Sequence, residues 1–139
     1  MGRKEREERR KGRKVDEDEI SGHLVDAAIA VHKVLGPGLL ESAYVAALEI
    51  ELTHRDLYFE REAPINATYR GHSLGIAYRA DLLVRGKVLI EVKSVQSIDA
   101  IHVAQLLSYL RLGGWKLGLL LNFNSTLMKS GIRRVVNDL

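Results

Sequence analysis

The spacing of hydrophobic and polar residues along the chain predicts three helices. Apolar residues recur at helical spacing over residues 17–35, where a Gly-Pro-Gly sequence ends the first helix. The same spacing returns over residues 39–54. A third helix is expected to start near Ser97 or Asp99, both suitable N-caps, and to end at Gly113-Gly114.

The remaining apolar segments have the length and composition of strands. The predicted strands are 57–62, 65–69, 73–84, 87–93, 116–123 and 131–136. Pro64 separates the first two, and the last is either a strand or a helical turn. The predicted order is therefore ααββββαββ, an α/β domain with a central mixed β-sheet flanked by helices.

Charged residues occur within the two most apolar strands. Asp81 lies in "YRADLLV", and Glu91 and Lys93 lie in "KVLIEVK". A three-residue hairpin loop over 84–86, with glycine in the left-handed position, would pair Arg79 with Glu91. That register would place Asp81, Glu91 and Lys93 on one face of the hairpin.

Two carboxylates and an ammonium group at this position suggest phosphodiester chemistry. Converging carboxylates repel each other unless a cation lies between them, and oxygen ligands favour Mg²⁺ or Mn²⁺. The ammonium group of Lys93 would orient an attacking water molecule and stabilise developing negative charge. The sequence thus predicts a metal-dependent hydrolytic site on this hairpin.

Five sequence blocks resemble one known family. In chain order they are "GLLESAY", "YRADLLV", "LIEVKS", "HVAQLLSYLRL" and "GLLLNF". Together they resemble the PD-(D/E)xK nuclease superfamily and, within it, the GxxExxY proteins, over residues 20–137. One position departs from the pattern, because Ala80 precedes Asp81 where the superfamily's name has proline.

The resemblance implies a restriction-endonuclease-like core, a Mg²⁺ or Mn²⁺ cofactor and a DNA substrate. The implied metal ligands are Asp81, Glu91, the backbone carbonyl of Val92, and Glu41, and the implied catalytic residues are Lys93, Glu41 and Gln105. The implied activity is hydrolysis of DNA phosphodiester bonds in repair, recombination or defence. A homodimer or a partner protein would extend the nucleic-acid surface.

Each of these residues also has a purely structural interpretation. Asp81 would be a solvent-facing charge at a strand edge, and Glu91 would pair with its neighbouring lysine. Glu41 would simply be an acidic residue that the helix dipole stabilises at the helix N-terminus. Tyr44 is expected to anchor the core, with its hydroxyl group supporting Glu41. Gln105 would be a buried amide that ties its helix to a strand.

Composition adds limits on location and domain number. The 139 residues suffice for one domain, with 46% hydrophobic and 28% charged residues and no cysteine. No signal peptide or membrane span is evident, so a cytoplasmic protein is expected.

Most of the basic excess lies in residues 1–14. We therefore predict a charged, disordered tail over 1–19 and one nuclease-like domain over 20–139. The tail is either a solubilising segment or expression remnant, or a weak polyanion-binding arm.

Two other functions remain compatible with the sequence. A non-catalytic nucleic-acid-binding or assembly module would keep this fold, although such a module is expected to have lost part of the site. A metal-dependent hydrolase of nucleotides or another phosphodiester would require a closed pocket. The complete set of candidate site residues favours the nuclease.

Overall fold

The computed structural model describes residues 16–138, so residues 1–15 of the tail predicted over 1–19 lie outside the described residues, whereas residues 17–19 begin the first helix. The helices are α1 (Glu17–Leu35), α2 (Glu41–His54) and α3 (Ala100–Gly113). The strands are β1 (Phe59–Tyr69), β2 (His72–Val84), β3 (Val88–Lys93), β4 (Leu117–Asn122) and β5 (Ile132–Val136), and a 3₁₀ turn over Met128–Gly131 precedes β5.

The five strands form one mixed sheet in the order β1-β2-β3-β4-β5. Only β3 and β4 run parallel, because α3 connects them, and the other neighbouring pairs are antiparallel. The predicted α/β class with a restriction-endonuclease-like core is confirmed. Among the described residues, no helix is both long enough and apolar enough to cross a membrane.

Helices cover both faces of the sheet, so the central strands β3 and β4 are buried almost throughout. On one face, Leu82, Ile90 and Val92 pack with α1 and α2 in the larger core cluster. On the other face, Leu83 and Leu89 pack with α3. Burial on both faces explains why these strands have nearly continuous apolar sequences.

The first two predicted strands form a single strand. Pro64 lies inside β1, where it pairs with Arg79 of β2. A proline supplies no N–H donor, but β1 is an edge strand and needs donors on one side only. The predicted interruption was therefore wrong, because the edge position tolerates the missing donor.

The β2–β3 hairpin has a three-residue loop in a different register from the predicted one. Val84 pairs with Val88, so the loop contains residues 85–87 and not 84–86. Arg85 and Gly86 both have positive φ values, of 57° and 67°. The predicted pairing of Arg79 with Glu91 was wrong, because this register aligns Asp81 with Glu91 beyond the last ladder pair, Leu82 with Ile90.

Candidate active site at the divergence of two strands

The regular alternation of side chains breaks in β2 at Asp81. Ala80 belongs to the core cluster against α3, whereas Leu82 belongs to the cluster against α1 and α2. In a regular strand these two residues would share a face. On the neighbouring strand, Glu62 lies between the flanking pairs with a φ of 48°. The prediction that Asp81 shares a face with Glu91 and Lys93 assumed strict alternation, and that assumption does not hold at Asp81.

Side-chain hydrogen bonds replace the backbone ladder at this point. The backbone N–H of Asp81 donates to Oε1 of Glu91 at 3.2 Å. In return, the N–H of Val92 donates to Oδ2 of Asp81 at 2.8 Å. These two bonds cross the gap between β2 and β3 and hold the two carboxyl groups beside each other.

Burial makes this pair of acids electrostatically unfavourable. Glu91 is only 3% exposed, and burial, together with the charge of Asp81, raises the pKa of Glu91 to about 7. Burial also raises the pKa of Asp81, with a further contribution from the charge of Glu41 and opposition from the Val92 hydrogen bond. The site therefore carries more negative charge than its protein partners balance.

Two tyrosines support Glu91. The hydroxyl of Tyr78 donates to Oε2 of Glu91 at 3.0 Å. The ring of Tyr78 stacks on that of Tyr109 from α3, with ring centroids 4.2 Å apart and planes 9° apart. Burial and the negative charge of Glu91 both raise the pKa of Tyr78, so its hydroxyl remains a proton donor. The stack fixes the orientation of one oxygen of Glu91.

Glu41 approaches from the other side, as the first residue of α2. Its Oε2 accepts a hydrogen bond from the backbone N–H of Ser94, just after β3, at 3.1 Å. Glu41 and Asp81 line the same open cleft of about 450 Å³. Glu49 and Glu62 also line the cleft, as does Arg61, which pairs with Glu49 at 3.6 Å, so the acidic residues of the lining outnumber the basic ones.

Lys93 ends β3 and is half-buried. Its charge lowers the pKa of Asp81 and, to a smaller extent than the other causes, that of Glu91. Nevertheless, no ion pair shorter than 4.0 Å joins Lys93 to either carboxylate within residues 16–138. The simple Glu91–Lys93 ion pair that the sequence also allowed is therefore absent there, and the ammonium group is available to another partner.

Gln105 does not join this cluster through a contact. Its side chain is exposed on α3 and makes no hydrogen bond to Lys93 within the described part of the chain. The alternative interpretation of a buried structural amide was wrong, because Gln105 is exposed, unlike Leu106 and Leu110 of the same helix.

Three polar residues contribute to the site although sequence reasoning gave them no role there. Tyr78 holds Glu91, and Ser94 binds Glu41 through its N–H and the Leu39 carbonyl through its hydroxyl. Asn122 is buried at the end of β4 and binds the backbone of Val95 through both ends of its amide. A polar residue closing the apolar run "LGLLLN" was the available signal for Asn122.

Tyr44 is the core anchor that the sequence predicts, but it supports a different group. It is fully buried and stacks on Phe123, with ring centroids 4.6 Å apart. Its hydroxyl donates to the Gly36 carbonyl and accepts from the Leu39 N–H. The expected support of Glu41 by this hydroxyl was wrong, because the hydroxyl stabilises the loop that leads into α2.

The order of these elements and the acid pair at the divergence of β2 and β3 agree with a family match. The model of the PD-(D/E)XK nuclease superfamily matches residues 18–135. The chain belongs to the PD-(D/E)XK nuclease superfamily. Members of this superfamily are typically nucleases and generally use divalent metal ions. Comparisons with curated proteins and with solved structures returned no match.

Two carboxylates of this site fit the metal ion that a PD-(D/E)XK nuclease would require. Within residues 16–138, no three His, Asp or Glu side chains are close enough to one another to hold a metal ion alone. Mg²⁺, however, takes one or two carboxylates and completes its shell with water and phosphate oxygens. Each carboxylate oxygen has two lone pairs, so oxygens of Asp81 and Glu91 that accept hydrogen bonds can still coordinate.

Proposed function

We propose that the chain is a Mg²⁺- or Mn²⁺-dependent nuclease that hydrolyses DNA phosphodiester bonds, and that it belongs to the GxxExxY branch of its superfamily. The observation that carries this proposal is the buried Asp81–Glu91 pair. Two acids share hydrogen bonds across the strand gap while each is destabilised by burial and by a neighbouring negative charge. Replacing one acid with an amide or an apolar group would remove this cost, so stability of the fold does not account for the presence of both acids.

The proposed direct metal ligands are Asp81, Glu91 and the Val92 carbonyl, and Glu41 would hold the ion from the other side through a bound water molecule. A bound divalent cation would polarise the scissile phosphate and lower the pKa of a bound water molecule. Tyr78 keeps Glu91 oriented through its hydrogen bond at 3.0 Å. The Ser94 N–H holds Glu41 toward the same cleft. These contacts fix the carboxylates before substrate arrives, which reduces the cost of organising the site.

Lys93 is the proposed catalytic lysine. It lies two residues after Glu91 at the end of β3, and its charge acts on both carboxylates without a close ion pair. In that position the ammonium group would orient the attacking water and offset negative charge that develops on the phosphate. The buried Asn122 amide holds the chain just beyond Lys93 by bonding to Val95.

Gln105 is proposed to contact substrate rather than Lys93. Its exposed amide on α3 has no hydrogen bond within residues 16–138, so it is free to bind a phosphate oxygen or a base edge. The alternative function is a non-catalytic nucleic-acid-binding or assembly module. The retention of Glu41, Asp81, Glu91 and Lys93 favours the enzyme over that module.

An isosteric substitution tests the metal site and the activity together. Asp81→Asn keeps the shape of the side chain but removes the negative charge that a cation requires. We expect Mn²⁺ binding, measured by paramagnetic resonance, and cleavage of labelled DNA each to fall by about a hundredfold or more.

The matched control is Asp26→Asn, since Asp26 is an exposed acid on α1 outside the cleft. This variant should bind Mn²⁺ and cleave DNA like the unsubstituted chain. Full metal-dependent activity in Asp81→Asn would contradict the assigned site. Absence of cleavage by the unsubstituted chain on every nucleic acid, despite Mn²⁺ binding, would favour the non-catalytic module.

A further inference from the structure

The hairpin formed by β1 and β2 extends beyond the helices that cover the rest of the sheet. None of the residues 66–77 is buried, whereas Ile65 and Ala80 just below them are. The backbone ladder between β2 and β3 covers residues 82–84 of β2, and within the described part of the chain the β2 residues of the segment over 66–77 pair with β1 alone, so this segment is a two-stranded ribbon. We call this segment the arm.

The composition of the arm differs from that of the neighbouring cleft. From Ala63 to Ala80 the chain contains no acidic residue, while Arg70 occupies the turn and Arg79 lies at the base. Three large side chains on the arm are substantially exposed: Tyr69, Leu74 and Ile76 at 66%, 62% and 48%. Basic, aromatic and aliphatic groups on an exposed ribbon suit a polyanion that also offers apolar contacts.

The outer edge of the arm is poorly suited to pairing with a second copy of the chain. Pro64 removes one donor from β1 at the base of the ribbon. Two register shifts follow, between Ile65 and Asn66 and between Ala67 and Thr68. Gly75 has a φ of 76° on the partner strand. Bulges and proline at a strand edge both disfavour edge-to-edge association.

We infer that the arm inserts into the major groove of a B-form DNA duplex beside the scissile bond, which makes double-stranded DNA the substrate class. The inference rests on the proposed nuclease function, because it positions the duplex by a scissile phosphodiester bound at Asp81. B-DNA has a major groove about 12 Å wide, which admits a two-stranded β-ribbon. The major groove of A-form RNA is too deep and narrow for one.

The position of the arm relative to the site supports this docking. Strand β2 runs directly from the turn at Arg70 to Asp81. Over that length an extended strand covers on the order of 35 Å, close to one helical turn of B-DNA. Because a duplex exposes its major groove once within each helical turn, a duplex whose backbone enters the cleft at Asp81 presents that groove to the arm between Asp81 and the turn at Arg70. Tyr78, at the base of the arm, is already tied to Glu91.

A truncation removes the arm without touching the core. Ile65 and Tyr78 are cross-strand partners, so residues 66–77 can be replaced by an Asn-Gly turn that closes the shortened hairpin. Binding to labelled DNA and RNA duplexes is then measured by fluorescence anisotropy in chelator, where no cleavage competes. We expect affinity for duplex DNA to fall by about tenfold or more and its salt dependence to weaken. Affinity for duplex RNA should change little.

A point substitution tests the contribution of the arm to duplex DNA affinity without shortening the backbone. Arg70→Asn removes the charge at the turn, and asparagine tolerates the positive φ of 49° there. Arg133→Asn is the matched control, because Arg133 is an exposed arginine on β5 at the opposite edge of the sheet. Only the Arg70 variant should lose duplex DNA affinity, by roughly three- to tenfold.

Several outcomes would overturn the inference. Unchanged DNA affinity in the truncated chain would show that the arm does not bind DNA, and an equal loss for duplex RNA would exclude groove insertion. A dimer that light scattering finds only in the intact chain, with DNA affinity unchanged by truncation, would assign the arm to a second copy. Cleavage by the intact chain with Mn²⁺ is measured separately, so unchanged DNA affinity in the truncated chain would not contradict the nuclease proposal. Arm-dependent duplex binding without any cleavage would contradict the nuclease alone.

Discussion

At the scale of single residues, the main feature is a carboxyl group that the fold holds in an unfavourable environment. Glu91 is buried beside Asp81, and within residues 16–138 its carboxylate accepts two hydrogen bonds, from Tyr78 and from the Asp81 N–H. A cation bound between the acids would stabilise the ionised form of both. The free energy of unfolding of the metal-free protein should therefore be lower when Glu91 is ionised.

The pKa of Glu91 leads to a prediction on stability and pH. In the unfolded chain the group loses its proton near its ordinary pKa of 4.5, whereas the folded protein retains it until about pH 7. The folded state thus binds more protons between these values, and the free energy of unfolding falls as pH rises through this window. Without metal, we expect a decrease on the order of 1–3 kcal/mol between pH 4.5 and 8, measured by urea unfolding.

The variant Glu91→Gln should lose most of this dependence and be more stable than the unsubstituted chain at pH 8 without metal. Glu60→Gln serves as the control, since Glu60 is an exposed acid on β1, and it should retain the full pH dependence. A stability of the unsubstituted chain that rises with pH over the same range would contradict the raised pKa.

At the scale of elements, the segment after β3 depends on the end of β4. The buried amide of Asn122 accepts from the N–H of Val95 at 3.1 Å and donates to its carbonyl at 3.0 Å. It also accepts from the N–H of Asn124. Because β3 and β4 are parallel and end together, with Lys93 opposite Asn122, this residue connects two strand ends at the site.

Removal of that amide should therefore be costly. Asn122→Ala removes the acceptor of the Val95 and Asn124 N–H groups and leaves the Val95 carbonyl with the Asn124 side chain alone within residues 16–138, and we expect a loss of about 2–3 kcal/mol in the free energy of unfolding. The matched control is Asn124→Ala, because Asn124 is exposed and makes one hydrogen bond from its side chain to the Val95 carbonyl, at 3.3 Å. The control should lose less than about 1 kcal/mol. Equal losses in urea unfolding would show that Asn122 does not hold this segment.

The same scale shows which features the sequence could predict. The helix from Glu17 to Leu35 was predicted with its bounds, because helical spacing and a glycine stop both act within neighbouring residues. Passage of β1 through Pro64 could not be predicted, since it depends on the strand lying at the sheet edge. The hairpin register differed because Arg85 adopts a positive φ that its residue type rarely favours.

Part of the candidate site could be predicted from the sequence, and the rest depends on contacts between distant segments. Asp81, Glu91 and Lys93 are charges inside apolar strands, so they were visible in the sequence. The break in alternation at Asp81 was not visible, because it depends on Glu62 in the neighbouring strand. The contact of Tyr78 with Glu91 likewise depends on stacking against Tyr109, which lies on a distant helix.

At the scale of the whole molecule, the sheet and its two helical layers place three candidate functional features side by side. The paired acids lie where β2 and β3 diverge, Glu41 is held from α2, and the arm continues from β2 beyond the helices. The superfamily match over residues 18–135 covers all three. The account therefore predicts one enzyme whose catalytic residues and duplex-binding ribbon share a strand.

The most direct test of this account is a cleavage assay that compares the unsubstituted chain with Lys93→Ala. The assay uses linear, nicked, branched and single-stranded DNA and RNA, each with Mn²⁺ and with chelator, and Lys129→Ala, an exposed lysine near β5, as the control. We predict Mn²⁺-dependent cleavage of duplex DNA that falls by about a hundredfold or more in Lys93→Ala alone, while Mn²⁺ binding persists. Equal cleavage by Lys93→Ala and the unsubstituted chain, or none by either, would contradict the assignment of a nuclease site to this hairpin.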